Sequence, residues 1–347
     1  MGLLSKLGLG FAVLSIASAT WVALEGHRRF TGPGPLAQDG AVMINKNSSL
    51  ESIAKSLTAA GVVYDPYSFM VGVKLRKGHL KAGEFSIPSH ASAQTVMEIL
   101  QDGKTITHKL TIAEGLTVKK ILADIQDAPF LAGSISHKPS EGHLLPETWL
   151  LQRDDDRNEV VLRMEKAMNH YLDQAWAGKS ANLPLKNKEE ALVLASIVER
   201  ETALPQERPK VAAVFLNRLR QGMKLQSDPT VIYGLSDGNG TLDHSLTRSD
   251  LDSNHPWNTY VIAALPPSPI SNPGKASLDA VLHPASSDAL YFVADGKGGH
   301  NFARTLDEHN RNVAAWRKGK AAAASEDEEQ SCSPSFPKAP AAKLLKK

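Results

Sequence analysis

The sequence has few of the residues that mark several common classes of protein. Its one cysteine, Cys332, has no partner for an internal disulfide, so a disulfide-stabilised scaffold is excluded. The formal net charge of +2 is close to balance, and no basic stripe with interleaved aromatic residues occurs, which argues against a nucleic-acid partner. None of the twelve histidines has H-E-x-x-H or comparable spacing. We therefore expect no metal and no cofactor.

One run of apolar residues is long enough to cross a membrane. Leu7–Leu24 contains 18 consecutive uncharged and mostly apolar residues. The same stretch includes Ala17-Ser18-Ala19, which fits the end of a cleavable secretion signal, so two interpretations are open. The flanking charges do not settle which end faces the cytoplasm. We favour a transmembrane anchor within residues 1–26, followed by a flexible tether over residues 27–40, which contain the stretch GPGPLAQDG.

With 347 residues and 42% hydrophobic content, the chain is large enough for two modest domains. The first is predicted over residues 41–103 as a small α/β module, whose size suits a binding role, with a simple spacer as the alternative. Its predicted elements are strands at Ala41–Ile44 and Leu80–Pro88, and helices opened by a capping-box pattern at Ser48–Glu51, by Asp65-Pro66 and at Ala93.

A larger mixed α/β domain is predicted over residues 104–318, so that the fold class is α+β, and residues 319–347 are predicted to be a disordered tail. The glycine-rich stretch Asp295–Gly299 lacks Walker spacing and is predicted to be a hairpin turn. The main predicted elements are strands at Thr105–Ile112 and Ala289–Ala294, and helices at Thr117–Asp127, Glu159–Trp176, Asn187–Leu204, Arg208–Arg220, Ser277–His283 and Leu306–Lys318.

The stretch Ala191–Asn217 places two carboxylates near the end of an almost wholly apolar helix. Helical spacing puts Glu199 on a face of small and hydroxyl residues, which would leave room for a ligand. Glu201 lies about 200° further round the helix, at the end of the bulky apolar stripe, and is better placed for a structural bond. We predict Glu199 as a general acid/base. The alternative is a carboxylate that is merely solvated or paired with Arg200 or Arg208.

Three other stretches have the polar and aromatic content of a sugar site, although each is a weak signal alone. Glu141–Leu151 combines carboxylates, a histidine and a tryptophan around a proline. Lys224–Leu235 groups polar side chains around Pro229, which suits the wall of a hydrogen-bonding pocket. Asn254–Asn272 adds aromatic residues and several prolines, which hold a backbone path rigid, as a cleft edge requires.

Several long motifs occur together in one order: ASIVERET, PKVAAVFLNRLRQGMKLQSDPTVIYG, WNTYVIAALPPSPISNPG and LYFVADGKGGHNF. In this the chain resembles the MltG, or YceG-like, family of endolytic murein transglycosylases. The resemblance runs from about Ala41 to Trp316. It implies an inner-membrane protein with a cytoplasmic end and transmembrane anchor at residues 1–26, a LysM-like peptidoglycan-binding module at residues 41–103 and a periplasmic catalytic domain at residues 104–318. The family's catalytic glutamate falls on Glu199. The expected substrate-binding residues are Glu147, Asn217, Gln226, Ser227, Asp228, Thr230, Tyr233, Asn258 and Tyr260.

The implied reaction cleaves the bond between N-acetylmuramic acid and N-acetylglucosamine within nascent strands and leaves 1,6-anhydro ends. The resemblance also implies a role in setting glycan chain length, with peptidoglycan synthases (penicillin-binding proteins) as candidate partners. A hydrolytic glycosidase generally needs two carboxylates, whereas a lytic transglycosylase can use one, and the sequence offers one good candidate. Two alternatives stay open. One is a membrane-anchored, non-catalytic peptidoglycan-binding scaffold. The other is a cytosolic pyridoxal-phosphate lyase, although Ala191–Leu204 contains no lysine for a Schiff base.

Overall fold

Helices predominate in the structure, and the strands are short and paired two by two. The computed structural model describes residues 3–331, with side chains described for residues 13–320. The helices are α1 (Leu3–Thr31), α2 (Leu50–Ala59), α3 (Pro66–Leu75), α4 (Ala93–Asp102), α5 (Val118–Asp127), α6 (Arg157–Ala177), α7 (Lys188–Glu201), α8 (Arg208–Arg220), α9 (Asp228–Leu235), α10 (Arg248–Leu251), α11 (Lys275–Leu282) and α12 (Leu306–Ser331). The strands are β1 (Gly40–Ile44), β2 (Gly83–Ile87), β3 (His108–Thr111), β4 (Leu131–Ala132), β5 (Thr148–Leu151), β6 (Asp155–Asp156), β7 (Tyr291–Ala294) and β8 (His300–Ala303). The predicted mixture of helices and small sheets is confirmed.

The chain divides into two compact units. Unit 1 comprises Met1–Thr111, Ile125–Ser134 and Thr148–Glu159, and unit 2 comprises the remaining segments. Unit 1 therefore extends past residue 103, the predicted end of the small module, because the β3–β5 and β4–β6 pairs belong to it. The division runs through α5 and α6, each of which contributes residues to both units.

Unit 1 is built on an antiparallel pair, β1 with β2, in which Val42 lies opposite Phe85. Alternate residues of both strands are buried and form one core with the inner faces of α2, α3 and α4. Side chains of Ser49, Asp65 and Ser92 cap the three helices. The first cap differs from the predicted capping box, because Ser49 bonds the backbone of Ser52 and no glutamate completes the motif.

Residues 27–40, predicted as a flexible tether, pack onto unit 1 instead. Helix α1 continues to Thr31, and Phe30 is buried in the core. The Gly34 N–H then donates a hydrogen bond to the carbonyl oxygen of His90 at 3.1 Å. The helix continues because no proline occurs in it, and the first proline of the GPGP stretch follows its last residue.

Unit 2 contains the packed helices α7, α8 and α11 and the hairpin of β7 and β8. The Asp295 carboxylate accepts hydrogen bonds from the backbone N–H groups of Lys297 and Gly299 across the hairpin turn. Gly296 and Gly298 have φ values of +76° and +93°, which favour glycine. The prediction of a hairpin turn in this stretch is confirmed.

Both ends of the chain lie partly outside the described residues. The predicted anchor, Leu7–Leu24, belongs to α1, but the side chains of residues 7–12 are not described. Among the described residues, no helix has the length and apolar character that crossing a membrane requires. Helix α12 runs past its predicted end at Lys318 to Ser331, and the rest of the predicted tail, Cys332 included, lies outside the described residues.

Candidate active site

Helix α7 is the buried support on which the two candidate carboxylates stand. The Asn187 side chain caps its first turn by accepting a hydrogen bond from the Glu190 N–H at 2.9 Å. Every residue from 191 to 198 is buried. Because apolar burial fixes the helix along most of its length, the directions in which Glu199 and Glu201 point at its end are fixed too.

The small-residue face of α7 is covered, where an open face for a ligand was predicted. The Ile270 N–H donates to the Ser196 hydroxyl at 3.0 Å, and the Ser271 hydroxyl donates to the Ser196 carbonyl oxygen at 3.2 Å. Ala195 and Ser196 are fully buried. Small side chains allow the proline-rich backbone to approach the helix closely, so this face holds the segment that leads to Gly274.

Glu199 is nearly enclosed, and each of its carboxylate oxygens accepts a hydrogen bond. Its side chain is 5% exposed. Arg208 Nη2 donates to Oε1 at 3.2 Å, and the Gly274 N–H donates to Oε2 at 2.9 Å. Gly274 is the N-cap of α11, where the helix dipole favours a negative charge. The alternative interpretation of Glu199 in the sequence analysis, a carboxylate paired with Arg200 or Arg208, predicted the pairing with Arg208. The contact with Gly274 was not foreseen.

A second carboxylate, Glu114, shares the same guanidinium. Arg208 Nη2 lies 3.3 Å from Glu114 Oε2, and the Glu114 side chain is 42% exposed. A Cβ atom built on Gly274 would lie 1.8 Å from Glu114 Oε1, so glycine is required for this approach. Arg208 Nε is buried without a partner among the described residues. The sequence had indicated a single candidate carboxylate, but in the structure Glu199 lies beside Glu114. Glu114 is the more exposed of the pair.

Glu141 forms a polar network that supports the segment before Gly274. Its carboxyl accepts hydrogen bonds from the Val118 N–H at 2.9 Å, from Asn272 Nδ2 at 3.0 Å and from the Tyr233 hydroxyl at 3.3 Å. Burial raises the pKa of Glu141 to about 7, against the opposing effect of these hydrogen bonds. Asn272 is fully buried. The sequence had marked the Glu141–Leu151 stretch as a sugar-binding rim, and the side chain of Glu141 turns out to be internal support.

Glu201 faces different neighbours, which confirms that the two glutamates of α7 diverge. Its carboxylate accepts a hydrogen bond from the Ser227 hydroxyl. Burial raises the pKa of Glu201 to about 7; the Ser227 hydrogen bond opposes that shift, and the Asp228 charge adds to it. Glu201 is therefore held in a structural bond, as its position on the helix predicted.

Of the predicted ligands in the Lys224–Leu235 stretch, Ser227 and Asp228 lie beside Glu201, whereas Tyr233 bonds Glu141. Thr230 is buried and donates to the Ser227 carbonyl oxygen at 2.6 Å. The Tyr260 hydroxyl donates to the exposed Asp228 at 2.6 Å. Gln226 Oε1 accepts a hydrogen bond from Arg218 at 3.1 Å. Of this group, Asp228, Tyr260 and Gln226 present polar atoms at or near the surface, whereas Ser227 and Thr230 are internal.

The other predicted ligands are dispersed. Asn258 is fully buried, and its amide bonds only backbone groups within residues 251–260. Asn217 on α8 donates to the carbonyl oxygens of Ser287 and Ala289, so its contacts support a packing role. Glu147 pairs with Lys275 at 3.2 Å. Lys275 is the residue after Gly274, so Glu147 pairs with the chain neighbour of a residue that bonds Glu199.

Sequence reasoning missed three contributions to the site, which come from three distant segments. They are Glu114, the bridging of Glu114 and Glu199 by Arg208, and Gly274. No local pattern links them, because the contacts arise only when α7, α8 and the segment before α11 pack together. The one signal in the sequence was the Glu114-Gly115 pair, which begins two positions after Ile112, the end of the predicted strand Thr105–Ile112. A strand end followed by glycine is a common position for site residues.

Comparison with known proteins places this chain in a family. The model of the YceG-like family matches residues 42–315, a range that contains every site residue described above. The endolytic murein transglycosylase of Bacillus subtilis is 29% identical over 315 residues, covering 80% of this chain and 86% of that relative. The endolytic murein transglycosylase of Streptococcus pneumoniae is 28% identical over 323 residues; this chain is matched over 79% of its length and spans 57% of the relative. A crystal structure of a YceG-like protein from Listeria monocytogenes is 31% identical, covers 79% of this chain and 98% of that one, and superposes with a TM-score of 0.49.

Proposed function

Because the chain belongs to the YceG-like family, we propose that it is an endolytic murein transglycosylase with Glu199 as its general acid/base. Two relatives of that name, aligned along about four fifths of this chain, support the reaction. The observation that supports the residue is the position of Glu199: it accepts hydrogen bonds from Arg208 and from the Gly274 N–H at the N-terminus of α11, and it lies beside the more exposed Glu114. The substrate is the glycan strand of peptidoglycan.

In the proposed reaction, Glu199 first protonates the glycosidic oxygen, so that the bond to C1 of N-acetylmuramic acid breaks and N-acetylglucosamine leaves with a free hydroxyl. The carboxylate of Glu199 then takes the proton of the muramyl C6 hydroxyl while that oxygen bonds to C1. A 1,6-anhydromuramyl end results. Glu199 regains its proton, and no water is consumed.

The two donors on Glu199 act in the first half of this cycle. Arg208 and the Gly274 N–H stabilise the carboxylate that forms when the proton is given up. When Glu199 carries the proton, Arg208 retains Glu114 as its charged partner, so the guanidinium need not move. The site can therefore alternate between the two protonation states with little rearrangement.

Glu114 gives specific support to one second candidate, a hydrolytic glycosidase. Hydrolases of this kind use a pair of carboxylates, and Glu114 and Glu199 bond the same nitrogen of Arg208. Such an enzyme would add water across the bond and leave a reducing end. The products distinguish the two reactions, and the names of the relatives favour the transglycosylase.

We further propose that α1 anchors the protein in the inner membrane, with the rest of the chain in the periplasm. The apolar run Leu7–Leu24 and the peptidoglycan substrate motivate this placement. In the same proposal, residues 41–103 act as a LysM-like module that binds peptidoglycan, cleavage of nascent strands sets glycan length, and peptidoglycan synthases are partners.

Release of soluble fragments from purified peptidoglycan tests the proposed function. The wild-type chain should release fragments that arise from cleavage within glycan strands. Glu199→Gln should bind sacculi equally well but release almost no fragments. A non-catalytic scaffold would give equal binding and no release from either protein. Equal release by both proteins would remove Glu199 from the mechanism.

A further inference from the structure

The last residues of α1 fix its direction relative to unit 1. Phe30 is 4% exposed, and a Cβ atom built on Gly72 would lie 2.1 Å from its ring. The Arg76 guanidinium lies over the same ring, 4.8 Å from its centre. Arg29 Nη1 also lies 3.5 Å from Asp65 Oδ2. The end of helix α1 therefore packs directly beside α3, without a linker between α1 and the core of unit 1.

Helix α3 carries an apolar stripe that faces away from the core. Its inner face buries Phe69, Gly72 and Val73. Tyr67, Val71 and Leu75 follow one another at four-residue spacing and are therefore neighbours on the opposite side. They are 76%, 56% and 80% exposed. A surface helix normally exposes polar residues on such a face, so this stripe indicates that something apolar covers it.

The stripe continues into the apolar surface of α1. A cavity of about 780 Å³ lies between the two helices, lined by Trp21 and Val22 on one side and by Tyr67, Val71 and Leu75 on the other. Trp21 and Val22 are themselves 68% and 62% exposed. We call these five apolar and aromatic residues of the cavity lining the α1–α3 surface.

The charges around the α1–α3 surface are mainly basic. Lys74, Arg76 and Lys77 are exposed at the end of α3. Asp65, at the start of α3, caps the helix, and both Asp65 and Glu25, which line the cavity, pair with Arg29. Aromatic residues beside lysine and arginine are typical of the layer where membrane hydrocarbon meets lipid headgroups. A basic rim also complements lipid phosphates.

We propose that the α1–α3 surface lies in the headgroup layer of the bilayer that α1 enters, and so holds unit 1 against the membrane. This inference rests on the proposed anchoring by α1. Trp21 and Tyr67 occupy the headgroup level, Val71 and Leu75 face the acyl boundary, and the basic residues contact phosphates. Unit 1 is then attached in one orientation and does not swing on a tether.

Labelling of the full chain in lipid nanodiscs tests the proposal. In a C332S background, a single cysteine carrying an environment-sensitive fluorophore replaces Val71, Ser86 or Ile16. Ser86 is the matched control, because it is exposed and alternates with the core-facing Phe85 and Ile87 on β2. Ile16 in α1 reports on the anchor itself. The discs contain phosphatidylethanolamine with phosphatidylglycerol as the minor lipid, at one protein per disc.

We expect aqueous iodide to quench the label at position 71 several-fold less than the label at position 86, and a headgroup-level quencher in the lipid to act on position 71. Equal iodide quenching at positions 71 and 86, with position 16 protected, would overturn the proposal and leave the anchor intact. An accessible label at position 16 would overturn both. If position 71 were protected with two proteins per disc but not with one, a second copy of the chain would cover the surface. That result would also overturn the proposal.

Discussion

At the scale of single residues, the account depends on the different surroundings of Glu199 and Glu201. Glu199→Gln keeps the shape of the side chain and removes the titrating proton, so turnover should fall by roughly 100- to 10,000-fold with folding intact. Glu201→Gln should retain most activity, because its carboxylate bonds Ser227 inside the protein. Fragment release and circular dichroism of both variants measure these effects. A folded but inactive Glu201→Gln beside an active Glu199→Gln would reverse the assignment.

Glu141 should contribute to catalysis indirectly, by holding Asn272 and hence the segment that brings the Gly274 N–H to Glu199. Glutamine offers one acceptor oxygen in place of two, so Glu141→Gln loses the acceptor either for Val118 and Asn272, which share Oε1, or for Tyr233 on Oε2. We expect about a tenfold fall in kcat, in line with the loss of one buried hydrogen bond. Tyr233→Phe leaves Asn272 bonded and should cost less in kcat. Steady-state kinetics on soluble glycan strands compare the two variants, and a larger loss of kcat in Tyr233→Phe would contradict this role.

The sequence could predict the divergence of Glu199 and Glu201, because helical spacing depends only on neighbouring residues. It could not predict Glu114, Arg208 and Gly274 as the surroundings of Glu199, since those contacts depend on how separate helices pack. For the same reason, the amides of Asn217 and Asn258, predicted as substrate ligands from their type, bond the backbone in the structure. The roles of all these residues toward substrate stay predictions.

At the scale of elements, the contact between α1 and α3 should be sensitive to one methyl group. Alanine in place of glycine ordinarily stabilises a helix by about 0.5–1 kcal/mol. In Gly72→Ala, however, the new Cβ would overlap the buried Phe30 ring, and such overpacking costs roughly 1–3 kcal/mol. Gly26→Ala in α1 is the control, because no atom lies within 4 Å of its Cβ position. Urea unfolding in detergent should show a lower free energy of unfolding for Gly72→Ala only; equal values would contradict the packing described.

Helix starts were predicted well where a capping side chain is encoded locally, as at Asp65 and Ser92. The tether prediction failed because glycine and proline content describes backbone preference and does not reveal that Phe30 enters a core. The small face of α7 was interpreted as space for a ligand for a similar reason. Small residues equally permit a close approach of backbone, and here residues 270–271 make that approach.

At the scale of the whole molecule, buried glutamates should make stability depend on pH. Burial raises the pKa of Glu201 from 4.5 to about 7, so the folded protein holds a proton that the unfolded chain releases. The stabilisation from the protonated form is complete below about pH 4.5 and is lost as the pH rises to about 7. Glu201 should account for a fall of roughly 3 kcal/mol in the free energy of unfolding over this window.

Urea unfolding between pH 4.5 and 8 measures this dependence, with Glu201→Gln as the comparison. The variant cannot titrate at that position, so its free energy of unfolding should fall less steeply with pH than that of the wild type. Glu141 should maintain part of the slope in both proteins, because burial raises its pKa to about 7 as well. Identical slopes in the two proteins would show that Glu201 does not hold a proton in the folded state.

The central claim is that Glu199 directs an intramolecular attack that consumes no water. Mass spectrometry of the ends released from purified peptidoglycan in ¹⁸O-enriched water tests it most directly, because Glu114 beside Glu199 makes hydrolysis the competing outcome. The account predicts 1,6-anhydromuramyl ends without ¹⁸O, formed by the wild-type chain and nearly absent with Glu199→Gln. Reducing ends that carry ¹⁸O would contradict it and identify the protein as a hydrolase.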